Sequence, residues 1–208
     1  MPLIRRPTGA VTPPAQDAAA TLSALANGTD DERWAAARAA ADLPDGVDAL
    51  AKALTREANP RVREAIFTSL ARIGSGESIE AVLPLLRSDD AQLRTGALDA
   101  LRAMKGAVWP YMEQLFQDSD PDVRLLGCDL ARNLPAEEAE HLLCMLLDAE
   151  REPNVCASAV EVLAEVGGPQ ALPVLERCEA RFRGSPFLEF AIRLTADRIR
   201  SQPSQPRG

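Results

Sequence analysis

The sequence predicts an all-α fold, a right-handed solenoid of about five helical hairpins with capping helices at both ends, and three observations predict it. The first is an apolar position that recurs at Val62, Leu93, Val123, Val155 and Leu188, 31, 30, 32 and 33 residues apart. That spacing is the period of a stacked helical array. The second is a start signal three residues before each anchor, at Asn59, Asp90, Asp120, Glu152 and Ser185. An oxygen-bearing side chain there accepts the unpaired N–H groups of a first turn, and proline next to it at 60, 121, 153 and 186 has no N–H to lose. The third is a stripe of small or apolar residues three, four, eight and eleven positions after each anchor, as in Ala65, Ile66, Leu70 and Ile73. Such spacing lines one face of a helix, and small residues on it let neighbouring backbones approach.

Taken in order, residues 1–15 hold Pro2, Pro7, Pro13 and Pro14 and little periodicity, which predicts a disordered arm. Asp17 to Ala26 predicts a short helix that covers the open end of the first repeat. The first repeat is degenerate, with Glu32 at the anchor position and Trp34 two residues on. Second helices are expected near 47–56, 79–87, 109–117, 137–148 and 172–183. Glycines at 74, 106, 167 and 168 fall between paired helices, where a left-handed C-cap is wanted. Pro110 and Pro173 suit a first helical turn, whereas Pro84 predicts a late start or a bend. The last unit is a first helix without its partner, and Phe182, Phe187 and Phe190 are expected to seal the end of the core. One domain over 16–200 and a disordered tail over 201–208 complete the division.

The run Asp120-Pro121-Asp122-Val123-Arg124, a first helix ending in Ile73-Gly74 and an apolar second helix resemble the HEAT-like repeats of the type found in phycobilin lyases. The resemblance covers roughly residues 30–200. It implies a stacked array of helical pairs used as a scaffold, an adaptor or a chaperone-like subunit. It also implies an alternative activity, a lyase-like subunit or chaperone acting on a protein that carries a linear tetrapyrrole.

Composition narrows the classes. Hydrophobic residues make up 46% of the 208, enough for a core, while aromatics are only 4%, so alanine and leucine do the packing. A net charge of −8 opposes nucleic acid as the principal partner, because phosphate binding calls for concentrated Lys and Arg. Cys128, Cys144, Cys156 and Cys178 have no C-x-x-C spacing and read as reduced thiols rather than a zinc site. The first residues lack the apolar run of a signal peptide and no stretch is long enough to span a bilayer, so a cytoplasmic protein is expected.

If second helices carry the binding surface, their outward positions form two columns, one with Tyr111 and His141, the other with Lys52, Gln114, Cys144 and Arg177. With Trp109 beside them, these residues predict a protein-binding patch of exposed aromatic and polar groups. His141 and Cys144 are three apart on one helix, the spacing of a possible nucleophile pair, with Glu140 as the available orienting carboxylate. No phosphate loop, histidine pair or serine triad accompanies them, so the expectation is a non-catalytic scaffold with a protein partner and no cofactor. Arg63, Arg94 and Arg124 directly follow anchors and are expected to form an inter-repeat ladder with Asp90 and Asp120. Acids at 118, 120, 122, 137, 138 and 140 are expected to be a solvated rim.

Overall fold

The structure, a computed structural model, describes residues 15–201. The expected arm and tail lie outside the described residues, save Ala15 and Ser201, which open the first helix and close the last. Among the described residues all regular structure is helical, as the fold class requires. The chain divides into two compact units between Val82 and Leu83.

The first unit contains α1 (Ala15–Asn27), α2 (Asp30–Ala40), α3 (Gly46–Leu54), α4 (Pro60–Ile73) and α5 (Gly76–Val82). First helices α2 and α4 lie side by side, second helices α3 and α5 form the other layer, and α1 covers α2. Ala36, Ala37 and Ala40 of α2 are buried together with Leu50, Ile66 and Leu70. Each large aliphatic side chain so buried contributes about 1.5–3 kcal/mol.

The second unit opens with a 3-10 turn, Leu83–Arg87, and continues through α6 (Ala91–Met104), a 3-10 segment Lys105–Tyr111, and α7 (Met112–Phe116). It then runs through α8 (Pro121–Ala131), α9 (Ala136–Ala149), α10 (Pro153–Val166), α11 (Leu172–Arg181) and α12 (Pro186–Ser201). First helices α6, α8, α10 and α12 stack in that order, and α7, α9 and α11 form the second layer. Leu101, Met112, Leu143, Leu147, Leu163 and Leu175 fill the space between the layers.

The start signals act as expected at three repeats. Asn59 accepts from the N–H groups of Arg61 and Val62, Asp90 from Gln92 and Leu93, and Asp120 from Asp122. In the degenerate repeat, Thr29 and Glu32 form a reciprocal capping box, so the anchor position carries a capping carboxylate instead of a core side chain. Glu152 departs from the rule and makes no side-chain cap. Of the four inter-helix glycines only Gly74 is left-handed, at φ 59°. Gly167 is extended and needed for space, since a Cβ there would lie 2.5 Å from the Leu163 carbonyl oxygen. Pro84 neither delays nor bends the helix as expected: α5 starts at Gly76 and stops at Val82, and a tighter turn holding Pro84 follows.

At Arg94 and Arg124 the arginine ladder takes a different form from the expected one. Arg63 Nε donates to the Glu57 carbonyl at 2.6 Å, Arg94 Nη1 to Ser88 at 2.6 Å and Arg124 Nη1 to Asp118 at 2.8 Å. Each guanidinium thus fastens the loop that enters its own helix. Arg33 and Arg124 also bridge to the following repeat, each through Nε at 2.7 Å, and the partners are Glu57 and Glu150 rather than the capping aspartates. Glu57 and Glu150 stand five residues before the next anchor, where the backbone of the inter-repeat loop is within reach. Glu57 accepts from the Asn59 N–H, and Glu150 from the N–H groups of Arg151 and Glu152.

The end of the second unit corrects another expectation. Phe187 and Phe190 do not seal the core: they are 74% and 66% exposed. They sit one before and two after the anchor Leu188, on the side of the helix away from Ile192, Ala196 and Ile199, which are buried.

Candidate functional site

The second helices of the second unit present a mixed surface. Trp109, in the 3-10 segment that also holds Pro110, is 51% exposed. Tyr111 ends that segment half-buried. Gln114 is exposed on α7 and lines a depression of about 510 Å³ with Arg87, Pro110, Glu113, Gln117 and Asp118. A carboxylate oxygen of Asp118 accepts from Arg87 on the wall of this depression.

On α9, Glu137, His141, Met145 and Asp148 make an exposed stripe at spacings of four, four and three. Met145, 50% exposed, is the member that sequence reasoning missed. Stepping one turn on from His141 reaches it, so the signal was present. Asp148 binds Arg177 of α11 in bidentate fashion, with Nε at 2.9 Å and Nη2 at 2.8 Å. The Arg177 guanidinium holds the Asp148 carboxyl below the usual carboxylate range. Arg177 is thus held on Asp148, near enough to Cys144 for its charge to act on the thiol. Lys52 belongs to the first unit, exposed on α3 with its ammonium 2.6 Å from Asp48.

The chemistry of Cys144 opposes a nucleophilic role. Burial, with Glu140 and Asp148 nearby, pushes its thiol up to about 11, against which the pull of Arg177 is smaller. At neutral pH it stays protonated, whereas an attacking cysteine needs a depressed pKa. Glu140, the available orienting carboxylate, is engaged elsewhere. Its Oε1 accepts from the N–H of Gly168 at 2.9 Å and of Ala171 at 3.0 Å, so it caps the start of the next second helix. At the opposite end of α9, Arg181 donates to the carbonyls of Leu147, Asp148 and Glu150. Both ends of the α9–α11 pair are therefore tied by side chains reaching across the repeat. Among the described residues no three His, Cys, Asp or Glu side chains gather into a metal-binding group, and no helix is long and apolar enough to cross a membrane.

Two layers of helices repeating at a fixed period, with capped first helices and a polar-aromatic second-helix face, define an α-helical repeat protein. A family profile for HEAT repeats matches residues 16–102 and 110–181, most of the chain. The chain belongs to the HEAT-repeat family. Three similar solved structures are distant in sequence. One is an HEAT-like repeats protein of the archaeon Thermococcus onnurineus NA1, at 14% identity and a TM-score of 0.47, covering 89% of this chain and 88% of that one. Another is an engineered protein, at 16% identity and 0.45, covering 89% and 99%. A third is a designed armadillo repeat protein, at 16% identity and 0.41, covering 88% and 99%. No curated protein matches the chain.

Proposed function

We propose that the chain is a non-catalytic scaffold or adaptor that binds a partner protein on the second-helix face of its second unit. The observation that carries this reading is the pair Trp109 and Met145, large apolar side chains about half exposed on a layer whose other large apolar residues are buried or half-buried. Neither fills the core, and exposed aromatic and methionine side chains among polar groups are what interface centres are made of. Gln114 and His141 supply polar contacts around them, and the Arg177–Asp148 pair lies beyond them on the same layer. A folded layer held by its own caps and ion pairs presents these groups already ordered, which lowers the entropic cost of binding.

Affinity capture of the tagged full chain from its native lysate, with quantitative mass spectrometry, tests the reading. A partner held in stoichiometric amount should be lost by the Trp109→Ala, Met145→Ala double variant and by Gln114→Ala, His141→Ala. It should be kept by Glu64→Ala, Glu161→Ala on the first-helix layer. The opposite pattern, loss on the first-helix variant alone, would place binding on the other layer and overturn the proposal. A bilin absorption band on mixing with a free linear tetrapyrrole would move the reading to the lyase-like alternative.

A further inference from the structure

The outward faces of the first five first helices carry at most one large apolar residue each, and α12 differs from them. Relative to the anchor, positions −1, +2 and +6 point away from the core. They read Asp31, Trp34, Arg38 in α2, then Arg61, Glu64, Thr68 in α4, and Gln92, Thr95, Asp99 in α6. In α8 and α10 they read Asp122, Leu125, Asp129 and Asn154, Ala157, Glu161. In α12 the same three positions are Phe187, Phe190 and Leu194, exposed by 74%, 66% and 61%. Spacings of three and four put them on one stripe about two turns long. Three large apolar side chains in a row, all more than half exposed, call for a cover.

A further repeat stacked on α12 would not supply that cover. Within each unit the side of a first helix that receives its successor is marked by position +5, which is Ala37, Leu98, Cys128 and Val160, all buried. Cys128 Sγ there reaches the Val155 carbonyl of the next first helix. In α12 that position is Arg193, exposed and bound to Glu179 at 2.6 Å and Glu189 at 3.4 Å. The receiving side of α12 is thus a solvated, ion-paired surface, and the stripe lies on a different side. An anionic lipid surface is also poorly matched. Arg193 and Arg200 are both held by carboxylates, Arg181 by the α9 carbonyls and Arg198 by the Glu165 carbonyl. Among the described residues no cluster of free cations flanks the stripe.

We propose that the stripe pairs with the same stripe on a second copy of this chain, α12 against α12 in antiparallel orientation about a two-fold axis beside Phe190. Such an axis sets Phe187 of one copy against Leu194 of the other and brings the two Phe190 rings together at the centre. It also carries the exposed guanidinium of Arg183, in the turn before α12, towards Asp197 of the other copy. Asp197 is three-quarters exposed and, among the described residues, holds only Arg200, one turn on, at 3.2 Å. The arrangement is self-complementary in both shape and sign, as an isologous contact must be. Three side chains per copy bury less than the roughly 1,200 Å² of a standard stable interface, so the dimer is weak and reversible. It engages the first-helix layer and leaves the proposed second-helix face free, and it does not depend on that proposal.

Sedimentation equilibrium of the full chain over a concentration series reaching the millimolar range tests the pairing. The wild type should self-associate, Phe190→Glu should remain a monomer, and Arg183→Asp and Asp197→Arg should each weaken association at least threefold. The combined Arg183→Asp, Asp197→Arg variant should restore it, because the two-fold axis pairs these positions. Circular dichroism and a urea midpoint equal to wild type show that Phe190→Glu still folds. A monomeric wild type at all concentrations overturns the proposal. So does association that survives Phe190→Glu, or single charge variants that the reversal fails to rescue. Retention of a monomeric wild type on phosphatidylserine–phosphatidylcholine vesicles, lost in Phe190→Glu, would instead assign the stripe to a lipid surface.

Discussion

The first-helix and second-helix layers are built by different means. First helices α2, α4, α6, α8, α10 and α12 run 11 to 16 residues, and most begin on a cap three residues before a fixed anchor. Second helices vary from the 5 residues of α7 to the 14 of α9, and 3-10 turns precede both α7 and α11. Their ends are secured from outside: Glu140 of one repeat caps the next, and Arg181 reaches back to the end of α9. Local chemistry specifies the first layer, while the second takes its ends from its neighbours. The inter-repeat loops join the two systems, and the largest expected effects lie there.

Glu150 is the clearest case. Its side chain is 4% exposed and Arg124 is 15% exposed, and the pair also holds the loop N–H groups of Arg151 and Glu152. Glu150→Ala leaves a mostly buried guanidinium unpaired and two N–H groups without an acceptor, which should cost about 3 kcal/mol. The exposed Lys52–Asp48 pair is the matching control, and Lys52→Ala should change stability by no more than about 0.5 kcal/mol. Urea unfolding measures both. Equal effects would mean that the loop ties do not organise the stack.

Glu150 and its counterpart Glu57 contribute to the response to acid. Arg33 holds the Glu57 carboxyl below the usual range despite burial. For Glu150, burial raises the pKa, but Arg124 and the N–H groups of Glu152 and Arg151 outweigh it and the net shift is downward. A carboxyl depressed in the folded state contributes stability that is fully present above its unfolded pKa and is lost as pH falls through the folded one. The urea midpoint should therefore hold from neutrality down to the ordinary glutamate range and drop below it. In Glu57→Gln, Glu150→Gln the midpoint should be lower at neutral pH and flatter across that acid window. A double variant with an unchanged acid slope would show that other carboxyls control it.

What could be read from the sequence follows the same division. The first helices were legible because Asn59, Asp90 and Asp120 act on N–H groups two or three residues away, a range that a linear pattern captures. Cys144 and Arg177 were placed together because a period carries one repeat's register onto the next. The role of Glu140 was not legible: its partners are 28 and 31 residues on, and a glutamate one residue before His141 looks local. Phe187 and Phe190 were misread because aromatic content stood in for burial. The helical angle relative to Leu188 places them outside, and that angle was available. Two-unit packing, with its division between Val82 and Leu83, leaves no mark in a repeat that continues through it.

Caps offer a finer test of the contrast. Asp120→Ala removes a cap from within its own helix and should cost about 1 kcal/mol, with faster amide exchange in the first turn of α8. Glu140→Ala should cost a similar amount, about 1 kcal/mol, but the faster exchange should fall at Gly168 and Ala171, on the following second helix. If exchange rises only around residue 140, α11 is capped locally and the contrast between layers fails.

The smallest effect concerns Lys105, the only non-glycine residue with positive φ among those described, at φ 49° and ψ −127°. It closes α6 and opens the 3-10 segment that carries Trp109, at a point where no cap sets the direction of the chain. An L residue in this conformation stores strain, and glycine adopts it freely. After the larger entropy loss of glycine on folding is subtracted, Lys105→Gly should gain about 0.5–1 kcal/mol in urea unfolding. Gly106, next to it, has negative φ and open space where a Cβ would be, so Gly106→Ala should change stability by only about a few tenths of a kcal/mol in either direction. A loss in Lys105→Gly would mean that the lysine side chain itself holds the turn. The second layer would then begin here, as the first layer does, on a local contact.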